Sequence, residues 1–314
     1  MSEKSYRDAT DKISSIFNEV GKVIVGQREA IEQIMAAILC NGHALVESYP
    51  GLGKTLTIST LSKVMDLKFN RIQCTPDLMP SDITGTYVVE ERAGGKEFRF
   101  EPGPIFANIV LADEINRASP KTQSALLESM QERQVTAGKE TYPLDQPFFV
   151  LATQNPIEME GTYPLPEAQL DRFLLKILLG YPSPEEETEI VERYTGNITP
   201  TVEKILTRET LLNLQQITRD VPIANDLRER VIQIVAATRE NREDVEYGAS
   251  PRASIGLILA AKAHALIHGQ NYVSTRDIEK MAYPVLRHRI ILTFEAERKG
   301  RSTDDVIQEI LKEK

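Results

Sequence analysis

A glycine-containing segment at residues 47–57, ESYPGLGKTLT, has the residue types of a loop that binds phosphate. Its end, Gly-Lys-Thr at 53–55, matches the end of the pattern G-x-x-x-x-G-K-[ST]. In that pattern backbone N–H groups surround the phosphates, the lysine adds a positive charge and the hydroxyl binds Mg²⁺. Ser48 stands where the pattern has its first glycine, at the loop entrance, where a small polar residue fits if its backbone angles permit. Side chains at Gly51 or Gly53 would obstruct the approach of the backbone to an anion. The segment therefore predicts nucleotide binding.

Two further polar groups follow apolar segments and could act on a bound nucleotide. The segment NIVLAD (108–113) ends in Asp113 and continues with Glu114. Asp113 could hold Mg²⁺ directly or through its water, and Glu114 could polarise an attacking water, although an aspartate here could also cap a helix. The segment FFVLATQNP (148–156) contains Asn155, whose amide could orient water or contact a γ-phosphate, or could form an Asx turn. Together with the upstream loop, these groups predict hydrolysis in addition to binding.

The segments that carry these residues are predicted strands of an α/β sheet. Short apolar runs bounded by turn residues alternate with helical patterns over roughly the first 180 residues. Near-continuous apolar runs such as 109–112 suit strands buried on both faces, as in a parallel sheet flanked by helices. The segment TLTISTLSKVM (55–65) is a predicted helix whose N-terminus offers donors and the positive end of its dipole. The predicted strands are HALVE (43–47), FNRIQC (69–74), NIVLAD (108–113), FFVLAT (148–153) and FLLKILL (173–179).

After GYPSP (180–184) the strand patterns end, and the remaining residues predict an all-helical second domain. Ser274 and Asp277 have the spacing of a capping box before the last predicted helix. We therefore expect an N-terminal helix (1–20), a nucleotide-binding α/β core (21–181) and a helical lid domain (182–314). The predicted helices of the lid are 185–194, 211–218, 225–238, 252–268 and 275–283.

Two segments of the α/β part predict β-hairpins. TYVVEERAGGKEFRFE (86–101) and RQVTAGKETYPL (133–144) each contain two alternating runs joined through a glycine-containing turn. Hairpins inserted in a parallel-sheet domain usually lie outside the sheet. Surface additions without a role are the structural alternative for both.

The composition indicates a folded protein of a reducing compartment. The chain has 314 residues, of which 41% are hydrophobic and 26% are charged, enough for two domains of ordinary size. Cys40 and Cys74 are too few for a disulfide framework, and no stretch approaches the about 18 apolar residues of a membrane span. We therefore expect a cytoplasmic protein. Its net charge of −9 disfavours nucleic acid as a partner.

The motifs resemble those of the MoxR family of AAA+ ATPases, from about Val23 to the end of the chain. The resemblance implies an AAA+ core with a helical lid, assembly into a ring that we expect to be a homohexamer, and ATP-driven remodelling of client proteins. It also implies a von Willebrand A-domain protein as a partner. The segments that carry it are VIVGQREAIEQIMAAIL (23–39), PGLGKT (50–55), GPIFANIVLADEINRASPKTQSALLESMQERQVT (103–136), ATQNPIEMEGTYPLPEAQLDRFLL (152–175) and SPRASIGLILAAKAHAL (250–266). The departure at Ser48 is modest, since the first glycine of this loop is not fixed among AAA+ proteins.

The resemblance also assigns roles to single residues. Its arginine finger falls on Arg172 of LDRF and its sensor-2 arginine on Arg252 of SPRA, and the two hairpins match an insert in helix 2 and the hairpin before sensor 1. The turn at 25–27 matches a segment that lies against adenine in related proteins. The expected catalytic residues are Lys54, Glu114, Asn155, Arg172 and Arg252, the expected ATP-binding residues are Gly26, Gln27, Pro50, Gly51, Leu52, Gly53, Lys54, Thr55, Leu56 and Asp113, and the expected Mg²⁺ ligands are Thr55 and Asp113.

Both arginines have structural alternatives. An arginine beside an aspartate, such as Arg172, often forms an ion pair, whereas a guanidinium from a neighbouring subunit can neutralise charge on a transferring phosphoryl group. Arg252 begins a predicted helix, where the dipole disfavours a cation unless a phosphate lies nearby. A solvated arginine is the alternative there.

A histidine pair has the spacing of zinc ligands. His264 and His268 are four residues apart, so both lie on one helix face. Ala265 stands where a zinc protease has its glutamate, and no third ligand is evident. We expect core or surface histidines.

Three function classes are compatible with these motifs. The first is a ring-forming ATPase that remodels protein complexes. The second is a nucleic-acid translocase, because helicase relatives share both hairpins, but the net charge of −9 disfavours it. The third is a nucleotide-gated scaffold with little turnover, which the presence of Glu114 disfavours. The few basic residues of the hairpins are Arg92, Lys96, Arg99, Arg133 and Lys139.

Overall fold

A computed structural model describes residues 3–92, 95–156, 161–197, 200–240 and 242–314 of the chain. Strands lie mainly in the first 180 residues, as the apolar runs predict. In chain order, the strands of the described residues are β1 (Ala44–Ser48), β2 (Phe69–Gln73), β3 (Gly85–Arg92), β4 (Gly95–Pro102), β5 (Ile109–Asp113), β6 (Gln134–Ala137), β7 (Glu140–Pro143), β8 (Phe149–Gln154), β9 (Leu175–Leu179), β10 (Val245–Tyr247) and β11 (Ile291–Leu292).

Five of these strands form a central sheet with the order β2-β5-β8-β1-β9, in which every neighbouring pair is parallel. All five predicted strands are present, and their ends differ from the prediction by one or two residues. The predicted fold class is therefore confirmed. Because the carboxyl ends of parallel strands meet at one edge of a sheet, the ends of β1, β5 and β8 lie together there.

Helices flank the sheet and form most of the chain after β9. All five helices predicted for the second half are present, and Ser274 and Asp277 form the predicted capping box. The helices are α1 (Glu3–Gly21), α2 (Arg28–Leu39), α3 (Lys54–Val64), α4 (Pro80–Thr84), α5 (Pro120–Glu132), α6 (Glu167–Leu170), α7 (Pro184–Thr195), α8 (Arg208–Asp220), α9 (Asn225–Ala237), α10 (Pro251–Ile267), α11 (Thr275–Leu286), α12 (Phe294–Arg298) and α13 (Thr303–Glu313), with a 3₁₀ turn at Ile115–Arg117.

The sheet is buried on both faces, as the apolar run in β5 predicts. Ile109 and Leu111 belong to a core cluster that also contains Leu257 of the lid region, whereas Val110 and Ala112 belong to a cluster on the opposite face with residues of α5. Each fully buried aliphatic side chain contributes about 1.5–3 kcal/mol to folding. The lid helices share the first cluster with the sheet, so the two parts pack against each other. The division of the chain into a core and a lid domain at residue 181 stays a proposal.

The region after residue 182 is helical, with one short exception. β10 and β11 form an antiparallel pair, which the sequence analysis did not predict. The helices α12 and α13 near the C-terminus were also not predicted. β10 has three residues and β11 has two, too few for an alternating pattern to be recognised.

The two predicted hairpins, β3–β4 and β6–β7, are both present as antiparallel pairs outside the central sheet. They contact each other through aromatic side chains. The rings of Phe100 and Tyr142 stack with centroids 4.2 Å apart, and the hydroxyl groups of Tyr87 and Tyr142 lie 3.1 Å apart. Gly94, in the predicted turn of the first hairpin, lies outside the described residues.

None of the described helices is both long enough and apolar enough to cross a membrane.

Candidate functional site

The predicted phosphate loop connects β1 to α3 at the carboxyl edge of the sheet. Gly51 and Gly53 have left-handed φ angles of +83° and +74°, which glycine adopts without strain. A Cβ atom on either glycine would meet no atom within 4 Å, so the space in front of the loop is open. Gly53 is the N-cap of α3, whose first N–H groups therefore face this space. Ser48 is the last residue of β1 and pairs with Leu179, so extended backbone at this position needs no glycine.

Two side chains at the start of α3 are available to a ligand. Among the described residues, the Lys54 ammonium group makes one contact, a long hydrogen bond of 3.4 Å from Nζ to the Tyr49 carbonyl oxygen. Within the described residues, the Thr55 hydroxyl has no hydrogen-bond partner. A partly uncompensated cation and a free hydroxyl at a helix N-terminus suit a phosphate group and its metal ion. Pro50 lies exposed in the loop between β1 and these two residues.

A small apolar cavity of about 130 Å³ adjoins the loop. Gln27 connects its wall to the loop by donating from Nε2 to the Leu52 carbonyl oxygen at 3.0 Å. Gly26 has a φ of +63°, which a residue with a side chain rarely adopts, and a Cβ atom there would require the Glu186 carboxylate, 2.1 Å away, to move. The lining residues are Val23, Ile24, Val25, Gln27, Gly51, Leu52, Gly53, Leu56, Thr57, Pro182, Ile190 and Tyr194. Such a pocket suits the flat apolar faces of a nucleotide base.

The acidic pair lies where β5 ends. Glu114 has a left-handed φ of +57°, which is uncommon for a residue with a side chain. Thr153 of β8 stabilises this conformation, because its hydroxyl accepts the Glu114 N–H at 2.9 Å and donates to Asp113 Oδ1 at 2.6 Å. Asn155 follows β8 directly, and its strand lies between those of the phosphate loop and the acidic pair. The three predicted groups are therefore brought to one edge of the sheet.

Three neighbouring side chains, which the sequence analysis missed, bind the two carboxylates. Arg71 Nη2 lies 2.7 Å from Asp113 Oδ2, and Glu114 Oε2 accepts from Gln73 Nε2 at 3.1 Å and from Arg117 Nη1 at 3.2 Å. β2 pairs with β5 so that Gln73 lies opposite Asp113, which only the register of the sheet reveals. A metal ion bound by Asp113 Oδ2 would have to displace Arg71.

The two predicted arginines lie at the opposite edge of the sheet. Arg172 precedes β9, and the Leu174 N–H bonds the carbonyl oxygen of His43, directly before β1. Arg252 Nη1 lies 3.4 Å from Asp171 Oδ2, which also accepts from the Ser250 hydroxyl. The length of β1, about 15 Å at 3.3 Å per residue, separates this edge from the phosphate loop. The structure therefore does not bring either arginine to the phosphate loop of its own chain.

Both arginines line a cavity of about 310 Å³ between the sheet and the lid region. Its lining contains five arginines and a single carboxylate, that of Asp171. Within the described residues, the guanidinium groups of Arg172 and Arg219 have no ion-pair or hydrogen-bond partner. Burial lowers the pKa of His43, which also lines the cavity, to about 4, so this histidine is neutral. The cavity is strongly positive and suits an anionic group.

His264 and His268, which have the spacing of zinc ligands but are expected to be core or surface histidines, pack against Asp277 and each other. His264 Nδ1 lies 2.6 Å from Asp277 Oδ1, and the two histidine rings stack with centroids 4.2 Å apart. Burial raises the pKa of the Asp277 carboxyl, but the hydrogen bonds from His264 and Ser274 together lower it more. The pKa of Asp277 therefore lies below its usual value. This arrangement fixes the start of α11 against α10.

Comparison with known proteins identifies related chains over nearly the whole length. Residues 43–175 match the model of the ATPase family associated with various cellular activities (AAA), and residues 237–310 match the AAA lid domain. The chain is 48% identical to chaperone MoxR1 of Mycobacterium tuberculosis over 93% of this chain and 79% of that protein. It is 30% identical to protein MoxR of Paracoccus denitrificans over 86% of each chain. A crystal structure of a candidate ATPase from Cytophaga hutchinsonii has a TM-score of 0.92 and 47% identity, and covers 99% of this chain and 96% of that chain.

Proposed function

The chain belongs to the MoxR family of AAA ATPases, and we propose that it hydrolyses ATP with Mg²⁺ in a ring of identical subunits. The family indicated by the sequence motifs is thereby confirmed. The observation that carries the proposal is the convergence of an open phosphate loop, the Asp113–Glu114 pair and Asn155 at one edge of the sheet. Hydrolysis would be coupled to the remodelling of client proteins, with a von Willebrand A-domain protein as a partner. The chaperone name of the mycobacterial relative supports this coupling.

The residues at the carboxyl edge have separate roles in the proposed reaction. The N–H groups of the loop and the Lys54 ammonium group bind the phosphates, and the cavity beside Gln27 holds the base. Thr55 and Asp113 hold Mg²⁺, which neutralises charge on the phosphates when it is bound. Glu114 polarises the attacking water once its contacts to Gln73 and Arg117 are released, and Asn155 orients the water or the γ-phosphate.

The position of the arginines supports assembly into a ring. Arg172 and Arg252 lie at the sheet edge opposite the phosphate loop, so neither reaches the nucleotide of its own chain. In a ring, one subunit presents this edge to the phosphate loop of the next. Both guanidinium groups could then neutralise the charge that develops on the neighbour's phosphoryl group, an effect of roughly 10³ to 10⁵ in rate. We propose a homohexamer as the assembly.

The hairpins give little support to the alternative of a nucleic-acid translocase. Lys96 Nζ lies 3.6 Å from the Glu91 carboxylate, and Arg99 Nη1 lies 2.9 Å from that of Glu90. These two cations are therefore paired with carboxylates of the same hairpin, while the side chain of Arg92 lies outside the described residues. A filter-binding assay at low salt tests this alternative, and tight binding would favour it.

Two substitutions test the assignment of the site. Lys54→Ala should abolish nucleotide binding. Glu114→Gln should retain ATP but hydrolyse it at least ~100-fold more slowly, which is the usual effect of losing a positioned base. Glu128→Gln is the matched control, because Glu128 is exposed on α5 and undergoes the same chemical change. Full turnover by Glu114→Gln would contradict the assignment, and negligible turnover by the unaltered chain would favour a nucleotide-gated scaffold.

A further inference from the structure

A buried arginine of the lid region, Arg289, binds the segment that carries Arg172. It lies shortly after α11, and only 2% of its side chain is exposed. Its guanidinium group donates to Asp171 Oδ1 at 2.7 Å, to the Phe173 carbonyl oxygen at 2.6 Å and to the Leu174 carbonyl oxygen at 3.1 Å. It also donates to the backbone carbonyl oxygens of Asp171 and Val285. Arginine is suited to this role because its five donors form a planar fork, which lysine lacks.

These hydrogen bonds fix the backbone on both sides of Arg172. The carbonyl groups of Asp171 and Phe173 flank this residue, and both accept from Arg289. The direction in which the Arg172 side chain leaves the backbone is therefore set relative to the lid region. Arg172 itself has no partner within the described residues that would hold it.

The Asp171 carboxylate connects Arg289 to Arg252. Its Oδ1 atom accepts from Arg289, while its Oδ2 atom accepts from Ser250 and lies 3.4 Å from Arg252 Nη1. Ser250 is the N-cap of α10, the helix on which Arg252 lies. The Asp171 carboxylate thus binds Arg252 of α10 and Arg289, which follows α11, and Asp171 directly precedes Arg172 in the chain.

We propose that Arg289 is a positioning residue for catalysis between subunits. It holds Arg172, and through Asp171 also Arg252, in the orientation in which both reach the nucleotide of the neighbouring subunit. A displacement of the lid region would then move both cations together, so that the lid of one subunit controls hydrolysis in the next. This inference rests on the proposed function.

The chain offers a matched control for the substitution of Arg289. Arg287 is a partly buried arginine at the end of α11, with 10% of its side chain exposed, and it binds both oxygens of Asp304 and donates to the Lys176 carbonyl oxygen at 3.2 Å. It joins the lid region to β9, and in the described part of the chain it makes no hydrogen bond to residues 171–173. Arg287→Met therefore removes a partly buried ion pair between the lid region and its surroundings and leaves the contacts of Asp171 intact.

The experiment compares Arg289→Met, Arg289→Lys and Arg287→Met at a temperature well below their unfolding midpoints. Arg289→Met should lose about 10- to 100-fold in kcat, the scale expected for misplacing a catalytic group by about 1 Å. Its binding of a fluorescent ATP analogue should be unchanged, because the phosphate loop is at the other edge of the sheet. Arg289→Lys should be intermediate, and Arg287→Met should stay within about threefold of the unaltered chain.

Mixed assemblies separate positioning from a general loss of structure. Arg289→Met mixed with Glu114→Gln should be more active than either parent, because some sites combine an intact Glu114 with correctly placed arginines from the neighbour. Arg289→Met mixed with Arg172→Ala should show no such gain, since both variants lack the same contribution. If Arg289→Met does not fold, Arg289→Lys replaces it in both mixing experiments.

Two results would overturn the inference. The first is full ATPase activity of Arg289→Met under conditions in which Arg172→Ala is inactive. The second is that mixing with Glu114→Gln restores activity to Arg172→Ala but not to Arg289→Met. If Arg172→Ala also fails to recover despite proven mixing, catalysis between subunits is itself wrong and the inference falls with it. If Glu114→Gln retains full turnover, the proposed ATPase site is wrong.

Discussion

Acidification should destabilise the protein through His43, which lies directly before β1 at the sheet edge opposite the phosphate loop. Its Nδ1 atom accepts the Val150 N–H at 3.0 Å, and its Nε2 atom lies 3.0 Å from the Met130 carbonyl oxygen, so the ring must be neutral with its proton on Nε2. Burial, and to a smaller extent the charge of Arg133, lower its pKa from 6.5 to about 4, against the raising effect of the Met130 carbonyl. The unfolded chain therefore takes up a proton near pH 6.5, whereas the folded chain does so only near pH 4.

The sign and size of the effect follow from this difference. Stability is fully present above about pH 6.5 and falls as the pH decreases toward 4, because the unfolded state then binds more protons. At about 1.36 kcal/mol per pKa unit, the free energy of unfolding should fall by about 2.5 kcal/mol between pH 7.5 and pH 4.5 on account of His43. His288 is buried too, and desolvation lowers its pKa well below the usual value, so it acts in the same direction.

The variant His43→Gln isolates the contribution of His43. A glutamine amide can donate to the Met130 carbonyl and accept from the Val150 N–H but does not titrate. Urea unfolding followed by circular dichroism at the two pH values gives the free energy of unfolding of both chains. The difference between the chains should change by about 2.5 kcal/mol from pH 7.5 to pH 4.5. A difference that is the same at both pH values would refute the assignment of a neutral, buried His43.

Two further predictions concern the proposed catalytic site. EDTA should stop turnover, because Thr55 and Asp113 are expected to hold a metal ion. ATP should be preferred over GTP, because the sequence has no N-K-x-D tetrapeptide after a strand. Equal use of GTP in a phosphate-release assay would contradict the role of the cavity beside Gln27. Thr153→Val should lower kcat at least ~10-fold and the free energy of unfolding by about 1–3 kcal/mol, because it leaves the Glu114 N–H and an Asp113 oxygen without their partner. The control Thr122→Val removes another buried hydroxyl and should lower the free energy of unfolding without changing kcat. Equal kcat values of these two variants would contradict the role of Thr153.

The sequence predicts the parts of the fold that depend on local patterns. Continuous apolar runs such as Ile109–Ala112 identify strands buried on both faces, and glycines with a following Lys-Thr identify the loop. The short pair of β10 and β11 has no such pattern, because three and two residues cannot show a period. Its formation depends on residues almost fifty positions apart.

The candidate site was predicted less completely, because several contacts depend on strand register and on the packing of the lid. The contacts of Arg71 and Gln73 with the acidic pair arise only when β2 lies beside β5. Likewise, the sequence gives Arg252 a position at a helix start but not the aspartate that it meets, which lies 81 residues away. The roles of Arg172 and Arg252 toward a neighbouring subunit come from the family resemblance and not from the residue pattern itself.

The mixing of two inactive variants tests the central claim, that each site combines groups from two subunits. Arg172→Ala and Glu114→Gln should each be nearly inactive, since every site in a uniform ring lacks one element. In mixed rings, a site with Glu114 from the first variant and Arg172 from the second is complete. If the sites act independently, the ATPase rate should exceed that of both parents and reach its maximum near equal proportions, with exchange of subunits shown by a mixed-tag pull-down. A flat baseline at every ratio, despite proven exchange, would contradict the claim.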